Sequence, residues 1–426
     1  LTGGASSGTY TFGIDGVQTS GARVGGLGTT SSFFATGGNV YWNPGGGSSY
    51  NWNSNSGAPS TLQFDGSDGS TPLRFFLGTT GGTFSISGGN KTIGRGSSGN
   101  NPGLVTLLSG LDNNGDSTAR TLTVGARLLT LTAPAVNSGT NLSITVAGGG
   151  YTQASAAALE ISNINQLPAG NLKIDANNSA DARGVLVFNN VQNFARGYGT
   201  GAGQFQLGQG SGDPGLAGFA ASGTTSSRIP NTVGNESVYD RSFSFGFAAR
   251  NLDGTLIAGA SLDIAQNTTL TGTATMWRPL NGFNLVGVSG TASSLTASQL
   301  ATGTVGRSVQ NIFSGNLSGA GALIVQSSAN NGSGFPAGFP GVLVLAGTNS
   351  WTGAPPGVAG FVNPGPGGLR VGYGYVQFQG QDSLPYNAST TGTSYIVAVE
   401  SNGGGLMFTG SSSEISYQLQ STRQFV

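Results

Sequence analysis

The sequence never stays apolar for long. Its recurrent unit is a run of three to five residues with Val, Ile, Leu or Phe on alternate positions, closed by Gly, Asn or Ser. Residues 104–108, 122–124, 128–131, 142–146, 172–174 and 185–188 read this way, and 262–264, 323–325, 342–345, 369–371, 376–378, 396–399 and 406–408 repeat it. A period of two sends successive side chains to opposite faces of a strand, so each run offers two or three side chains to one face. Helical spacing is not sustained anywhere, and only residues 153–159 spell a single short helical turn. A core made from such pieces is built in many thin layers.

Two other classes of chain are excluded by composition. Glycine supplies 77 residues and charged residues only 8%, and each glycine inside a helix costs about 1 kcal/mol relative to alanine, so the chain is not mostly helical. Nor is it a disordered linker, because 36% of its residues are hydrophobic and 22 are Phe. Between a sandwich and a solenoid the turns decide. A sandwich needs two-residue Asp-Gly or Asn-Gly turns at regular positions between paired strands. Such dipeptides occur at Asp15, Asp65, Asp253 and Asn281, but not at regular intervals. Short strands with loops of unequal length fit a coil-by-coil stack. The expected fold is therefore all-β, a right-handed parallel β-helix (β-solenoid) with irregular loop insertions. Residues 1–196 and 236–426 form its two parts, and the Gly/Ser/Thr-rich stretch 197–235 is an excursion or linker between them.

Sixteen Lys plus Arg balance sixteen Asp plus Glu, with no basic run of five. Nucleic acid and anionic membrane are poor partners for such a chain. A surface with few charges and no net charge associates readily with its own copies. Cysteine is absent, which removes disulfides and thiolate sites. No apolar stretch reaches the length of about 18 residues that a membrane helix needs. The chain begins at Leu1 without a charged leader and ends in a polar stretch at Arg423 to Val426, as a piece of a longer protein would.

Histidine is absent too, so Ser-His-Asp and Cys-His machinery and His-based zinc sites cannot be assembled. Carboxylate chemistry stays open, with Asp175, Asp181, Asp253 and Asp263 as the possible members of a cluster. The acids are spread thinly, however, and read as turn or solvent-facing residues. Asp112, Asn114 and Asp116 have the first, third and fifth positions of a calcium loop, but Thr123 stands where a bidentate Glu belongs and Gly115 falls early. This is an Asn-Gly turn, and Asp65 with Asp68 invites the same reading. Gly148–Gly150 and Gly403–Gly405 lack the Lys-Ser or Lys-Thr of a phosphate loop and read as turns. Tyr239, Phe243, Phe245 and Phe247 alternate beside Arg241 and Arg250. They read as an inward aromatic ladder with the arginines outside, the other possibility being a face for sugar or partner stacking. No catalytic, cofactor-binding or metal residue is assigned, and the expectation is a protein that is not an enzyme.

The most regular stretch is 314–372. Gly341, Leu343, Leu345, Gly347, Asn349, Trp351 and Gly353 follow one another at intervals of two, and Gly368, Leu369 and Val371 supply a second strand. Leu343 and Leu345 point to one face, Gly347 and Asn349 turn the chain, and Trp351 caps a layer. This pattern resembles the autotransporter-associated β-strand repeat of bacterial surface proteins. The chain departs from it where Pro355, Pro356, Pro364 and Pro366 intervene. Proline cannot donate to a strand ladder, so this insertion loops outward. Near the other end Tyr41, Trp42, Gly45 to Gly47 and Trp52 are similar to the opening coil of such proteins. No counterpart of the family's membrane barrel is found. The resemblance implies a secreted structural protein at the cell surface that associates with itself in a fibre, sheath or layer, or else an adhesin-like stalk that binds glycan or a host surface.

Overall fold

The computed structural model describes residues 10–15, 23–25, 30–35, 38–44, 49–53, 61–66, 73–94, 101–102, 104–126, 128–136, 141–147, 156–175, 183–207, 218–222, 227–231, 237–239, 243–247, 262–271, 273–278, 310–327, 342–355, 366–379, 383, 385, 395–399, 404–408 and 423–425. Among them the chain is nearly all strand. One helical element is a 3-10 turn, Ile164–Gln166, closed by a capping box between Asn163 and Gln166, and Ser383 also lies in a 3-10 turn. Of the stretch 153–159, where one short helical turn was expected, residues 156–159 are described and hold no helical turn. Ala156–Ile161 is a strand instead, because Ala157, Leu159 and Ile161 alternate inward and are fully buried. Burial against neighbouring strands outweighs the helical preference of an alanine run.

Pairing is parallel almost throughout, and each strand lies beside strands one circuit earlier and later. One sheet runs from Gly38–Pro44 through Leu73–Leu77, Leu104–Leu107, Leu128–Leu131, Ala156–Ile161 and Arg183–Asn189 to Gly218–Ser222. A second sheet stacks Thr61–Gly66, Lys91–Gly94, Arg120–Val124, Leu142–Ala147, Leu172–Asp175 and Phe205–Leu207. Between these two, Ser49–Asn53, Thr83–Ser87 and Gly110–Asp112 make a third sheet. The chain thus passes from sheet to sheet and returns beside its own earlier strand, without closing a barrel. Circuits differ in length: Leu104 lies beside Leu128, 24 residues on, whereas Thr273 lies beside Ala322, 49 on. Strand registers hold while the loops vary, so the arrangement is consistent with a β-solenoid.

The later strands continue the stack. Leu262–Ile264, Gln310–Phe313 and Val342–Leu345 pair in sequence, and Leu369–Phe378 runs ten residues through a corner to join two faces. Within the stretch 197–235, Phe205–Leu207, Gly218–Ser222 and Ser227–Ile229 all pair with strands of other circuits. Among the described residues, antiparallel pairing is confined to the first part of the chain. There Tyr10–Asp15 meets Gly38–Pro44, Arg23–Gly25 meets Thr30–Ala35, and Asn101–Pro102 meets Thr61–Gly66.

The core is one continuous column of side chains from Trp52 to Val397. Each coil contributes a few, such as Leu122 with Val124, Ile144 with Val146, and Leu172 with Ile174. A fully buried side chain of this kind contributes about 1.5–3 kcal/mol, so each thin layer is worthwhile only when stacked on the next. Outside this column a small second cluster joins Leu104, Leu128, Ala158, Val185 and Val187. These occupy the outward positions of strands whose inward positions are Val105, Leu129, Leu159 and Leu186.

Candidate functional site

The described residues of the repeat pattern, 343–353, meet at a corner of the stack, and Gly341 lies outside the described residues. Leu343 and Leu345 point inward, beside Asn311 and Phe313 of the preceding circuit and Val376 and Phe378 of the next. The chain then turns at Gly347. A Cβ there would lie 2.1 Å from the Gly315 carbonyl oxygen, and a Cβ on Gly315 would lie 2.0 Å from that of Gln266. Three successive coils therefore touch backbone to backbone at this corner, and only glycine fits where the contact is closest. Backbone bonds fix the stack, with Ala346 N donating to Phe313 O at 2.9 Å, Ser350 N to Leu317 O at 2.7 Å and Gly353 N to Gly321 O at 3.0 Å.

Asn349 spans three coils by itself. Its Oδ1 accepts from Leu317 N at 2.8 Å, and its Nδ2 donates to Ser383 O at 2.7 Å, all out of water. Trp351 is buried beside it and donates its indole N–H to Gly368 O at 3.1 Å. On the rim of the same corner a second series runs up the stack. Asn267 N donates to Asn231 Oδ1, Asn316 N to Asn267 Oδ1 and Thr348 N to Asn316 Oδ1. Each asparagine holds the backbone of the coil that follows. The pattern was visible only as an asparagine three residues after an inward apolar residue, as in Ile264 to Asn267 and Phe313 to Asn316.

The acids singled out by sequence are not brought together among the described residues. Asp175 is paired with Lys173 at 2.6 Å in its own strand, and Asp263 faces Arg228 at 3.5 Å and accepts from the Ser314 hydroxyl. These two strands belong to different sheets. Asp181, Asp253, Asp68, Arg241, Arg250 and Gly148 to Gly150 lie outside the described residues, and no group of three or more metal-ligating side chains forms among those described. The 112–116 segment is a tight turn with Asn114 at φ 54° and Gly115 at φ 67°. Its oxygens are taken: Asp112 accepts from Asn113 N and the Ser85 hydroxyl, and Asn113 accepts from Gly115 N. Asp116 accepts from Thr118 N and from Arg120, and these bonds hold its carboxyl below the ordinary range. Phe243, Phe245 and Phe247 form one strand, with Phe245 in register beside Phe219. Gly404 and Gly405, expected in a turn, begin the strand Gly404–Phe408, because their carbonyls and amides continue the pairing at Gly374 and Tyr375.

Sequence reasoning missed two buried cations. Arg196 donates to Pro168 O at 2.6 Å and Gly170 O at 3.0 Å, and burial lowers its pKa to about 10. Lys91 is odder. It takes the inward place that Leu122, Ile144, Leu172 and Phe205 take in the coils stacked after it. Its ammonium is buried without a hydrogen-bond partner, 5.6 Å from the centre of the Trp52 ring. Burial, with Arg120 nearby, lowers its pKa to about 8. No helix among the described residues is long and apolar enough to cross a membrane. No protein-family model, curated protein or solved structure matches the chain.

Proposed function

We propose that this chain is a right-handed parallel β-helix segment of a secreted structural protein, and that it associates with its own copies in a surface fibre, sheath or layer. The observation that carries this reading is the corner where Gln266, Gly315 and Gly347 stack coil on coil. It involves the residues on which the likeness to the autotransporter-associated β-strand repeat rests, and gives that spacing a mechanical purpose. Parallel strands joined by a crossover in one sheet are right-handed in about 98% of cases, which supports the hand. Side chains in this corner hold backbone rather than face a ligand, and the chain lacks histidine altogether. Both facts favour a structural role over catalysis. Zero formal charge leaves little long-range repulsion between copies.

Negative-stain images of purified protein across a concentration series test the proposal. Rods that align side by side or end to end are expected. Single rods without mutual order at every concentration would remove it.

A further inference from the structure

Two outward columns among the described residues are unsuited to regular contact. On the first sheet Leu104, Leu128, Ala158 and Val185 are already buried, and on a later face Arg228 and Asp263 carry charge. One column differs. Thr61, Thr92, Thr123 and Thr145 lie side by side in register, one per coil, and all are partly exposed. Each sits beside inward residues, Thr92 between Lys91 and Ile93, Thr123 between Leu122 and Val124, and Thr145 between Ile144 and Val146. Alternation therefore sends all four hydroxyls and methyls to the outer face. Two residues back along the strands, Asn90, Thr121, Ser143 and Asn171 make a second small polar column. Thr121 N donates to Asn90 Oδ1, Asn171 N donates to the Ser143 hydroxyl, and Thr121 is in register with Ser143. The first charge in the threonine column is Lys173, beside Thr145, and Asp175 neutralises it.

We infer that this threonine face is the lateral contact between two copies of the chain, each presenting the same columns to the other. The inference rests on the proposed self-association and names its surface. Rows repeat about every 4.8 Å across strands and about every 6.6 Å along them, so a partner that fits many rows at once must carry that repeat itself. A second copy has it by construction, and its identical short β-branched side chains can interdigitate as in a steric zipper. The face is neutral, so like meets like without repulsion. Its area sets the strength. Four strands by two columns cover roughly 250 Å², well under the ~800 Å² per partner of a stable pair. The contact therefore holds as one of many in an array rather than as a free dimer.

The test is the double variant T123K/T145K with its counterpart T123E/T145E. These positions face outward, so far-UV circular dichroism and melting should match the parent; the single variant T123K serves if a double variant loses its strand spectrum. Alone, either variant should need an about tenfold higher concentration to associate, followed by light scattering and negative stain. An equimolar mixture should associate again, and salt should weaken that mixture while restoring each variant alone. If the parent associates and both variants associate equally well, the face is wrong and self-association stands. If the parent stays single at every concentration, both proposals fall. If the parent instead sediments with cellulose or chitin particles and the variants do not, the face belongs to a glycan and the second copy is excluded.

Discussion

Lys91 is the residue whose chemistry is least at ease with its surroundings. An ammonium with no hydrogen-bond partner, set only against the Trp52 ring in an apolar layer, is disfavoured relative to the free amine, and Arg120 adds repulsion of the same sign. With a folded pKa of about 8 against 10.5 for the ordinary side chain, the folded chain holds fewer protons than the unfolded chain between those values. Stability from this group therefore rises with pH across that window and is constant below it, where both states are protonated. Replacing Lys91 with Met keeps the stem and removes the charge. K91M should be more stable at pH 7, by about 1–3 kcal/mol, and the gap between variant and parent should close as pH approaches 10.5. Urea melts at a series of pH values measure both, and a gap that does not change with pH would show that Lys91 is not the cause. Nothing in the sequence pointed here, since a lysine opening a strand reads as an exposed residue. Its inward parity appears only when Lys91 is aligned with Leu122.

At the scale of the element, strands were far more legible than corners. Alternation located Leu104–Leu107, Leu142–Ala147 and Val342–Leu345 because a period of two leaves few other options. Within 153–159, where a helical turn was expected, residues 156–159 are strand, as the helical preference of alanine yields once neighbouring strands bury it. At the repeat corner, Gly347 and Asn349 were recognised as turn residues, but their partners lie a whole coil away and local pattern cannot find them. The two have separable effects. Gly347→Ala drives a methyl into the Gly315 carbonyl, a backbone obstacle that cannot swing aside, and should cost about 3 kcal/mol or more. Asn349→Leu keeps size but removes the bond to Ser383 O and strands Leu317 N, at about 1–3 kcal/mol for a buried group left unpaired. Asn349→Asp keeps only the acceptor, sets a carboxylate against the Ser383 carbonyl, and should be the worse of the two near neutral pH. Thermal melts rank them, and N349D equal to the parent would disprove the three-coil tie.

For the whole molecule, the stacked arrangement predicts how damage spreads. In a compact domain a core deletion weakens every element together, because all share one unit. In a stack each coil contacts only its neighbours, and stability is close to a sum of coil and interface terms. Leu345 is fully buried between Phe313 and Phe378 of the adjoining circuits, and Leu345→Ala should cost about 2–5 kcal/mol. Hydrogen exchange should then quicken in Val342–Leu345, Gln310–Phe313 and the second half of Leu369–Phe378. It should stay at parental rates in Leu104–Leu107, Leu128–Leu131 and Ala156–Ile161, which belong to distant coils. Uniform loss of protection would mean that the chain unfolds as one cooperative body, and then a pile of separately coupled coils is the wrong description of what holds it together.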